Sequence, residues 1–301
     1  MKDGQGASMK VVLSRKGFDS QFGGMPSPIL PDGRLVSLPI PSERDDATLA
    51  DLDFADATLD RLISDVSAGK HGPQRRVHFD PDLGGRRGAN LANWRPALGQ
   101  TGAAQSHLSR RGVAAGDVFL FFGWFRLTEY VGGTWRFVPR APDLHVLFGW
   151  LEIDEVWPIV TQRDDALRRH PWIAAHPHVV APDRYTDPRN TLYVARERSA
   201  YTQTKAAGGG RFPLMHSELQ LTCPGQPRSI WLLPRWFAPD GREPMSYHAK
   251  ANRWAIREDG VMLRSVAKGQ EFVIDGALYP ELEPWVAGLI RRHARSCSST
   301  S

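Results

Sequence analysis

The sequence predicts a β-rich α+β protein with a small barrel at its centre. Residues 113–125 read as a turn followed by a strand, and residues 145–153 read as a second strand, both too apolar to be solvated on either face. Glycine pairs and Asp-Gly steps between apolar runs predict hairpins. One long segment, residues 48–67, carries its apolar side chains at helical spacing.

The N-terminal elements follow from local patterns. Residues 11–13 are apolar and predict a buried strand, and residues 30–38 predict a hairpin whose turn is Asp32-Gly33. Residues 48–67 predict a helix, and residues 103–111 predict a second, shorter one; a glycine soon follows each, as a stop signal.

The central elements favour a closed barrel. A Gly-Asp turn leads into the strand that ends at residue 125, and Gly132-Gly133 predicts the next hairpin. The apolar strand at 145–153 has Gly149 at its middle, and glycine relieves tight bends in small barrels. Further strands are expected at residues 231–237 and 268–275.

Composition indicates an ordinary globular chain of 301 residues, 41% hydrophobic and 24% charged. No apolar run reaches the roughly 18 residues of a membrane span. Cys223 and Cys297 match no zinc or redox spacing, and the N-terminus has no apolar signal region, so we expect a cytoplasmic protein. We expect residues 1–8 to be a tail, residues 9–290 one domain with its barrel at about 112–200, and residues 291–301 a basic, serine-rich tail.

The net charge of +5, with a pI near 9.4, comes mainly from arginine. Nine Lys and Arg residues lie between positions 61 and 111. Because guanidinium groups match phosphate geometry, this favours a nucleotide or a nucleic acid as the partner. Arginine-rich composition also arises from GC-rich coding sequence.

The loop after the first strand is the first candidate site. Arg15 and Lys16 offer positive charge for an anionic group, and Asp19 beside Ser20 offers a carboxylate to orient a hydroxyl or a metal. The alternative is a polar surface turn after an edge strand.

The segment His78-Phe-Asp-Pro-Asp82 is the second candidate. Alternate residues of an extended chain point to one face, so His78, Asp80 and Asp82 are candidate ligands of a divalent metal ion. Asp-Pro-Asp followed by two glycines is equally ordinary turn chemistry.

A third group adds Gln100, expected to contact a base edge, and His107, expected to act as a general acid or base. With Asp19, Asp80 and Asp82, His107 completes the predicted catalytic set. A lone histidine near a helix end is more often structural. Gln270, at the start of the last strand, is a further candidate for substrate binding.

The His176-Pro-His178 pair, with His170 upstream, could chelate a metal from one face of an extended chain. Prolines on both sides make this a rigid loop without a carboxylate or thiolate at ligand spacing, so the sequence favours a packing role.

The central pattern, residues 112–160, resembles the PUA-like barrels, including the EVE and ASCH types. The resemblance implies an aromatic pocket that stacks a flipped or modified base. The candidates are Phe122, Trp124, Trp150 and Trp157. The alternative for each of them is a place in the core.

Almost the whole chain resembles a bacterial and phage family, the third subtype of the domains associated with nucleotide modification. The resemblance lies in residues 13–20, 26–33, 79–83, 99–100 with 107–108, 116–125, 176–178 and 268–272. The resemblance implies a role in base hypermodification, and it assigns no catalytic residues in this chain.

Two functions from different classes follow. The first is an enzyme that modifies a nucleotide or nucleobase by hydrolysis or group transfer, with an Asp/His centre, an Arg/Lys anion site and a divalent metal as a candidate cofactor. The second is a non-catalytic module that recognises a modified base in DNA or RNA. A third hypothesis is a component of a phage-defence or phage-encoded system that binds a nucleotide signal. The enzyme hypothesis predicts that the loop after the first strand and residues 78–82 face one cavity, with His107 at its edge.

Overall fold

The computed structural model describes residues 8–52, 61–84, 91–202, 206–267 and 269–294. It confirms the predicted class, since the protein is α+β with 32% strand and 22% helix. The predicted tails fall mostly on residues 1–7 and 295–301, which lie outside the described residues. None of the described helices is both long and apolar enough to cross a membrane.

Nine strands form one mixed sheet. Its main path runs β12-β1-β4-β6-β7-β3, with β2 and β5 paired to β4 and β8 paired to β6. The strands are β1 (Lys10–Arg15), β2 (Ser27–Ile29), β3 (Ala97–Gln100), β4 (Val118–Val131), β5 (Thr134–Phe137), β6 (Leu144–Pro158), β7 (Thr191–Ala195), β8 (Gly209–Arg211) and β12 (Glu271–Asp275). A second, antiparallel sheet has the order β10-β11-β9 and consists of β9 (Ile230–Leu233), β10 (Trp254–Arg257) and β11 (Gly260–Arg264).

The described strands form no closed barrel, so the PUA-like part of the fold prediction is not confirmed. Strand β1 lies parallel to β4 and antiparallel to β12, which extends the sheet at one side instead of closing it. The register of β4 and β6 shifts beside Gly149, and this residue also leaves room for β8. A Cβ there would lie 2.8 Å from the carbonyl oxygen of Gly210, so glycine lets β8 pair closely with β6.

The two long apolar strands, β4 and β6, and the hairpin at Gly132-Gly133 are confirmed. Residues 118–122 of β4 are almost fully buried and pair with β6, and Gly132 and Gly133 turn β4 into β5 with positive φ angles of 61° and 83°. Positive φ at both central residues is the type I′ geometry that suits the twist of a hairpin.

Five helices are described: α1 (Leu62–Val66), α2 (Gly102–Arg110), α3 (Ile159–Arg169), α4 (Pro177–Val180) and α5 (Leu282–His293). The predicted helix at 103–111 corresponds to α2. The predicted helix at 48–67 is a 3₁₀ turn at Leu49–Asp51 and the short α1, with residues 53–60 outside the described part.

The region that positions the site lies beside β3 and β7. A 3₁₀ turn at Pro171–Ala175 leads directly into α4, and a small apolar cluster that includes Ala97, Ile173 and Val179 holds this segment against the sheet. Proline at the first position of α4 has its φ already set for a helix. The loop that carries His176 and His178 is therefore fixed in place.

Candidate active site: a histidine and aspartate centre beside a cleft

Three histidines and one aspartate meet between the segment 78–80 and the start of α4. The Nε2 atoms of His78 and His178 are 3.2 Å apart, and His78 Nε2 is 3.8 Å from Asp80 Oδ2. His176 Nε2 lies 3.2 Å from Asp80 Oδ1. All four side chains are buried or nearly so. We call this group the His/Asp centre.

Local backbone geometry explains why these side chains converge. The chain turns at Phe79, where the Asp80 N–H donates to the His78 carbonyl oxygen at 2.9 Å, and the side chains of His78 and Asp80 meet while Phe79 packs in the core. On the other side, the His176 side chain caps α4 by accepting the backbone N–H of His178 at its Nδ1 atom.

Outer contacts fix the orientation of two imidazoles. His78 Nδ1 is 3.1 Å from Asp45 Oδ2, and Tyr185 donates its hydroxyl to the same carboxylate. His178 Nδ1 is 2.6 Å from Asn190 Oδ1, and the Asn190 amide nitrogen donates to the His178 carbonyl oxygen. Because both Nδ1 atoms face acceptors, both carry a proton, and in the neutral form of each ring Nε2 is the atom with the lone pair.

Electrostatics keep Asp80 and His178 in the forms that accept hydrogen bonds or bind a cation. Burial would raise the pKa of Asp80, but contact with His176 and the nearby imidazoles of His178 and His78 lowers it below its usual range. Burial is the main cause that lowers the pKa of His178 to about 3. At neutral pH Asp80 is therefore a carboxylate and His178 a neutral imidazole.

Strand β3 lies against the His/Asp centre through Gly99. Its backbone N–H donates to Asp80 Oδ1 at 2.7 Å, and a Cβ on this residue would lie 2.2 Å from Cδ2 of His178. Only glycine leaves room for the imidazole ring at this distance.

Gly99→Ala is expected to lower the free energy of unfolding by about 1–3 kcal/mol, because the added methyl group must displace the His178 ring or the strand. Urea unfolding measures the change. Gly72→Ala is the matched control, since a Cβ at Gly72 would meet open space. Equal stability of the two variants would show that the ring moves aside freely.

A cleft adjoins the centre. Asp80 belongs to both, and Lys16, Ser37 and Arg211 also line the cleft. The two cationic side chains suit an anionic ligand.

A second buried carboxylate holds Lys16 in place. Glu271 Oε1 accepts hydrogen bonds from Lys16 Nζ (3.1 Å), Gln100 Nε2 (2.6 Å) and Ser14 Oγ (3.1 Å). Glu271 Oε2 is buried and has no hydrogen-bond partner among the described residues. Gly99 contacts Asp80 of the His/Asp centre, and the next residue of β3, Gln100, contacts Glu271, the carboxylate that holds Lys16.

A family model described as nucleotide modification associated domain 3 matches residues 10–275. The chain belongs to this family. Membership confirms the predicted resemblance, and it indicates a role in nucleic-acid modification that involves a nucleotide or a nucleic acid. A search of curated proteins and a search of solved structures each found no match to the chain.

In this member of the family, the predicted shared cavity forms in part. Lys16 lines the cleft together with Asp80, as expected for the loop after β1 and the segment 78–82. Asp19 instead accepts the backbone N–H groups of Gln21 and Phe22, and Ser20 accepts a hydrogen bond from Arg228.

Two other predicted polar residues have contacts away from the His/Asp centre. Asp82 accepts hydrogen bonds from Trp94 Nε1 (3.0 Å) and the Gly84 N–H (3.2 Å). His107 is buried, with Nε2 2.9 Å from Ser246 Oγ and its ring against Tyr247. Burial is the main cause that lowers its pKa.

The remaining predicted binding residues are spread over the sheet. Arg15 donates to the carbonyl oxygens of Val266 and Ala267, and the exposed Gln270 accepts the Arg15 N–H with its backbone carbonyl. The Arg228 guanidinium carbon lies 3.9 Å from the centre of the Trp124 ring. Trp150 is buried and stacks on Phe212.

Sequence reasoning placed His178 in a packing role and did not single out Asp45, Asn190 or Tyr185. The signal for His178 was the His-Pro-His spacing, which puts two imidazoles on one segment. The other three supply single polar atoms from separate parts of the chain, which no local motif reveals.

Proposed function

We propose that the protein is an enzyme that modifies a nucleotide or a nucleobase, by hydrolysis or group transfer, in a nucleic-acid modification pathway. The observation that carries this proposal is the position of Asp80. Asp80 belongs to the His/Asp centre and is also one of the residues that line the cleft with Lys16 and Arg211. Membership in a nucleotide modification family supports a nucleotide as the ligand.

The chemistry assigned to each part follows from charge and position. Lys16 and Arg211 hold a phosphate group in the cleft. The carboxylate of Asp80 and the two Nε2 atoms supply hydrogen-bond acceptors at one point, where they orient a water molecule or a substrate hydroxyl for attack. Burial strengthens these interactions, because little water screens them.

Lys16→Ala is expected to raise KM for the nucleotide about tenfold, an effect of about 1.4 kcal/mol, with a smaller change in kcat. The reason is loss of a charge that Glu271 holds in the cleft. Steady-state kinetics measure the change, with the exposed Lys70→Ala as the control for net charge. An unchanged KM would remove Lys16 from the anion site.

The experiment that tests the proposal uses the full chain and a panel of substrates. Nucleoside mono- and triphosphates, DNA and RNA are incubated with the protein, and mass spectrometry follows any change in nucleotide mass. Conversion by the wild-type protein that is lost in Asp80→Asn supports the proposal. Absence of conversion across the panel, or equal conversion by both proteins, contradicts it.

The alternative is a module that binds a modified base in an aromatic pocket without chemistry. Trp124 is the aromatic candidate that favours it, because Arg228 lies over its ring and together they offer a stacking and charged surface. Trp150 packs against Phe212 in the core, which reduces the aromatic area that such a pocket could use. Catalysis at the His/Asp centre is therefore the function that we favour.

A further inference from the structure

We propose that His78, His178 and Asp80 bind one divalent transition-metal ion through His78 Nε2, His178 Nε2 and Asp80 Oδ2. One nitrogen of each histidine and one oxygen of Asp80 lie within 4.8 Å of one another. The role of the ion in catalysis rests on the proposed function, whereas its binding does not. The set differs from the one expected from sequence, because His178 takes the place of Asp82.

The Nε2 atoms of His78 and His178 face each other in an arrangement that a cation between them would stabilise. Asp45 and Asn190 hold the proton on Nδ1 of each ring, so two lone pairs point toward one another at 3.2 Å. Lone pairs at this distance repel unless a proton or a metal ion lies between them. Two nitrogen ligands of a tetrahedral zinc ion, at about 2.0–2.1 Å each, are themselves about 3.3 Å apart.

Neighbouring groups also orient the third ligand, the Asp80 carboxylate. Asp80 Oδ1 faces the Gly99 N–H and His176 Nε2, which leaves Oδ2 toward His78. His176 Nδ1 accepts the N–H of His178, so the proton of this ring is on Nε2, which lies 3.2 Å from Asp80 Oδ1 without the angles of a regular hydrogen bond. His176 is thus a positioning residue. Each of the three ligands has an outer partner that orients it, as is usual in metal sites.

The ligand chemistry narrows the choice of ion. Two neutral imidazoles and one carboxylate suit zinc, iron, cobalt or nickel, whereas magnesium and calcium prefer oxygen ligands alone. Three protein ligands leave a coordination position open, and Asp80 also lines the cleft. An ion there would polarise a phosphoryl or carbonyl oxygen of a substrate.

A second group of histidines on the surface makes a poorer site. Both oxygens of Glu218 accept hydrogen bonds from Arg292, and His216 Nδ1 accepts the Glu218 N–H. These atoms are already engaged by donors. His216→Ala is therefore a suitable background for the measurement, because it removes stray binding without touching the proposed site.

The test uses the full chain freed of metal by a chelator and titrated with Zn²⁺ by calorimetry. In the His216→Ala background we expect one ion per chain, loss of binding on adding His178→Ala, and affinity about 10–100-fold lower on adding Asn190→Ala. Mg²⁺ is the control ion and is expected not to compete.

Two measurements on the unaltered site keep the proposal open to refutation if a variant fails to fold. Zn²⁺ is expected to raise the midpoint of thermal unfolding, since an ion that binds the folded chain stabilises it. Co²⁺ is expected to give visible absorption bands that Zn²⁺ abolishes. Absence of both effects, or full Zn²⁺ affinity in a folded His178→Ala protein, overturns the proposal.

The outcomes also separate the metal from the proposed function. Zn²⁺ binding without conversion of any nucleotide sustains the metal site and contradicts the enzyme. Conversion that persists at full rate after chelation sustains the enzyme and contradicts a role of the ion in catalysis, while Zn²⁺ titration still decides whether the site binds metal.

Discussion

Asp80→Asn is expected to lower kcat for the nucleotide substrate by about 10²–10⁴-fold, the usual effect of removing a group that takes part in proton transfer. Asparagine keeps the shape of the side chain and can still accept the Gly99 N–H. It loses the negative charge beside the imidazoles of His78 and His176. The measurement is the rate of nucleotide conversion at saturating substrate.

The control for Asp80→Asn is Asp259→Asn, which removes a carboxylate paired only with Arg257 among the described contacts of the β10–β11 turn. We expect this control to keep the wild-type rate. Circular dichroism checks that both variants fold. A folded Asp80→Asn protein with unchanged kcat would show that the chemistry takes place elsewhere.

Trp150→Ala is expected to lower the free energy of unfolding by about 3–5 kcal/mol, because it leaves a large cavity in the core. The indole is 2% exposed, stacks on Phe212 at 5.2 Å between ring centres and packs against Gly210. Urea unfolding measures the loss.

Tyr130→Ala is the matched control, since this aromatic side chain lies on β4 and is 55% exposed. We expect a change within about 1 kcal/mol for it, because little area leaves the core. The base-recognition hypothesis predicts a different pattern for Trp150→Ala, with stability near that of the wild-type protein and a selective loss of nucleic-acid binding.

Local patterns in the sequence predicted the strands and turns well and their arrangement poorly. The apolar run at 118–122 and the turn at Gly132-Gly133 depend on neighbouring residues alone, so the pattern was sufficient. The place of β1 between β4 and β12 depends on pairing with residues more than 100 and 250 positions away. The predicted barrel was inferred from the order of the central strands and did not include those pairings.

The candidate site was likewise predicted only where it depends on neighbouring residues. The alternation rule correctly placed His78 and Asp80 in one site, although the chain turns at Phe79 instead of staying extended. His178 lies 100 residues further on and meets His78 only because α4 packs beside β3, which no spacing rule states. Asp82 shared the alternation, but its carboxylate oxygens accept hydrogen bonds from Trp94 and Gly84. Alternation assigns a side chain to a face and does not specify its partner.

The claim that the cleft beside the His/Asp centre binds a nucleotide is tested most directly by a crystal structure with a nucleoside monophosphate. We predict the phosphate between Lys16 and Arg211, with the rest of the nucleotide extending toward Asp80. A nucleotide stacked on Trp124 under Arg228, with the cleft unchanged, would contradict the account and favour a binding module.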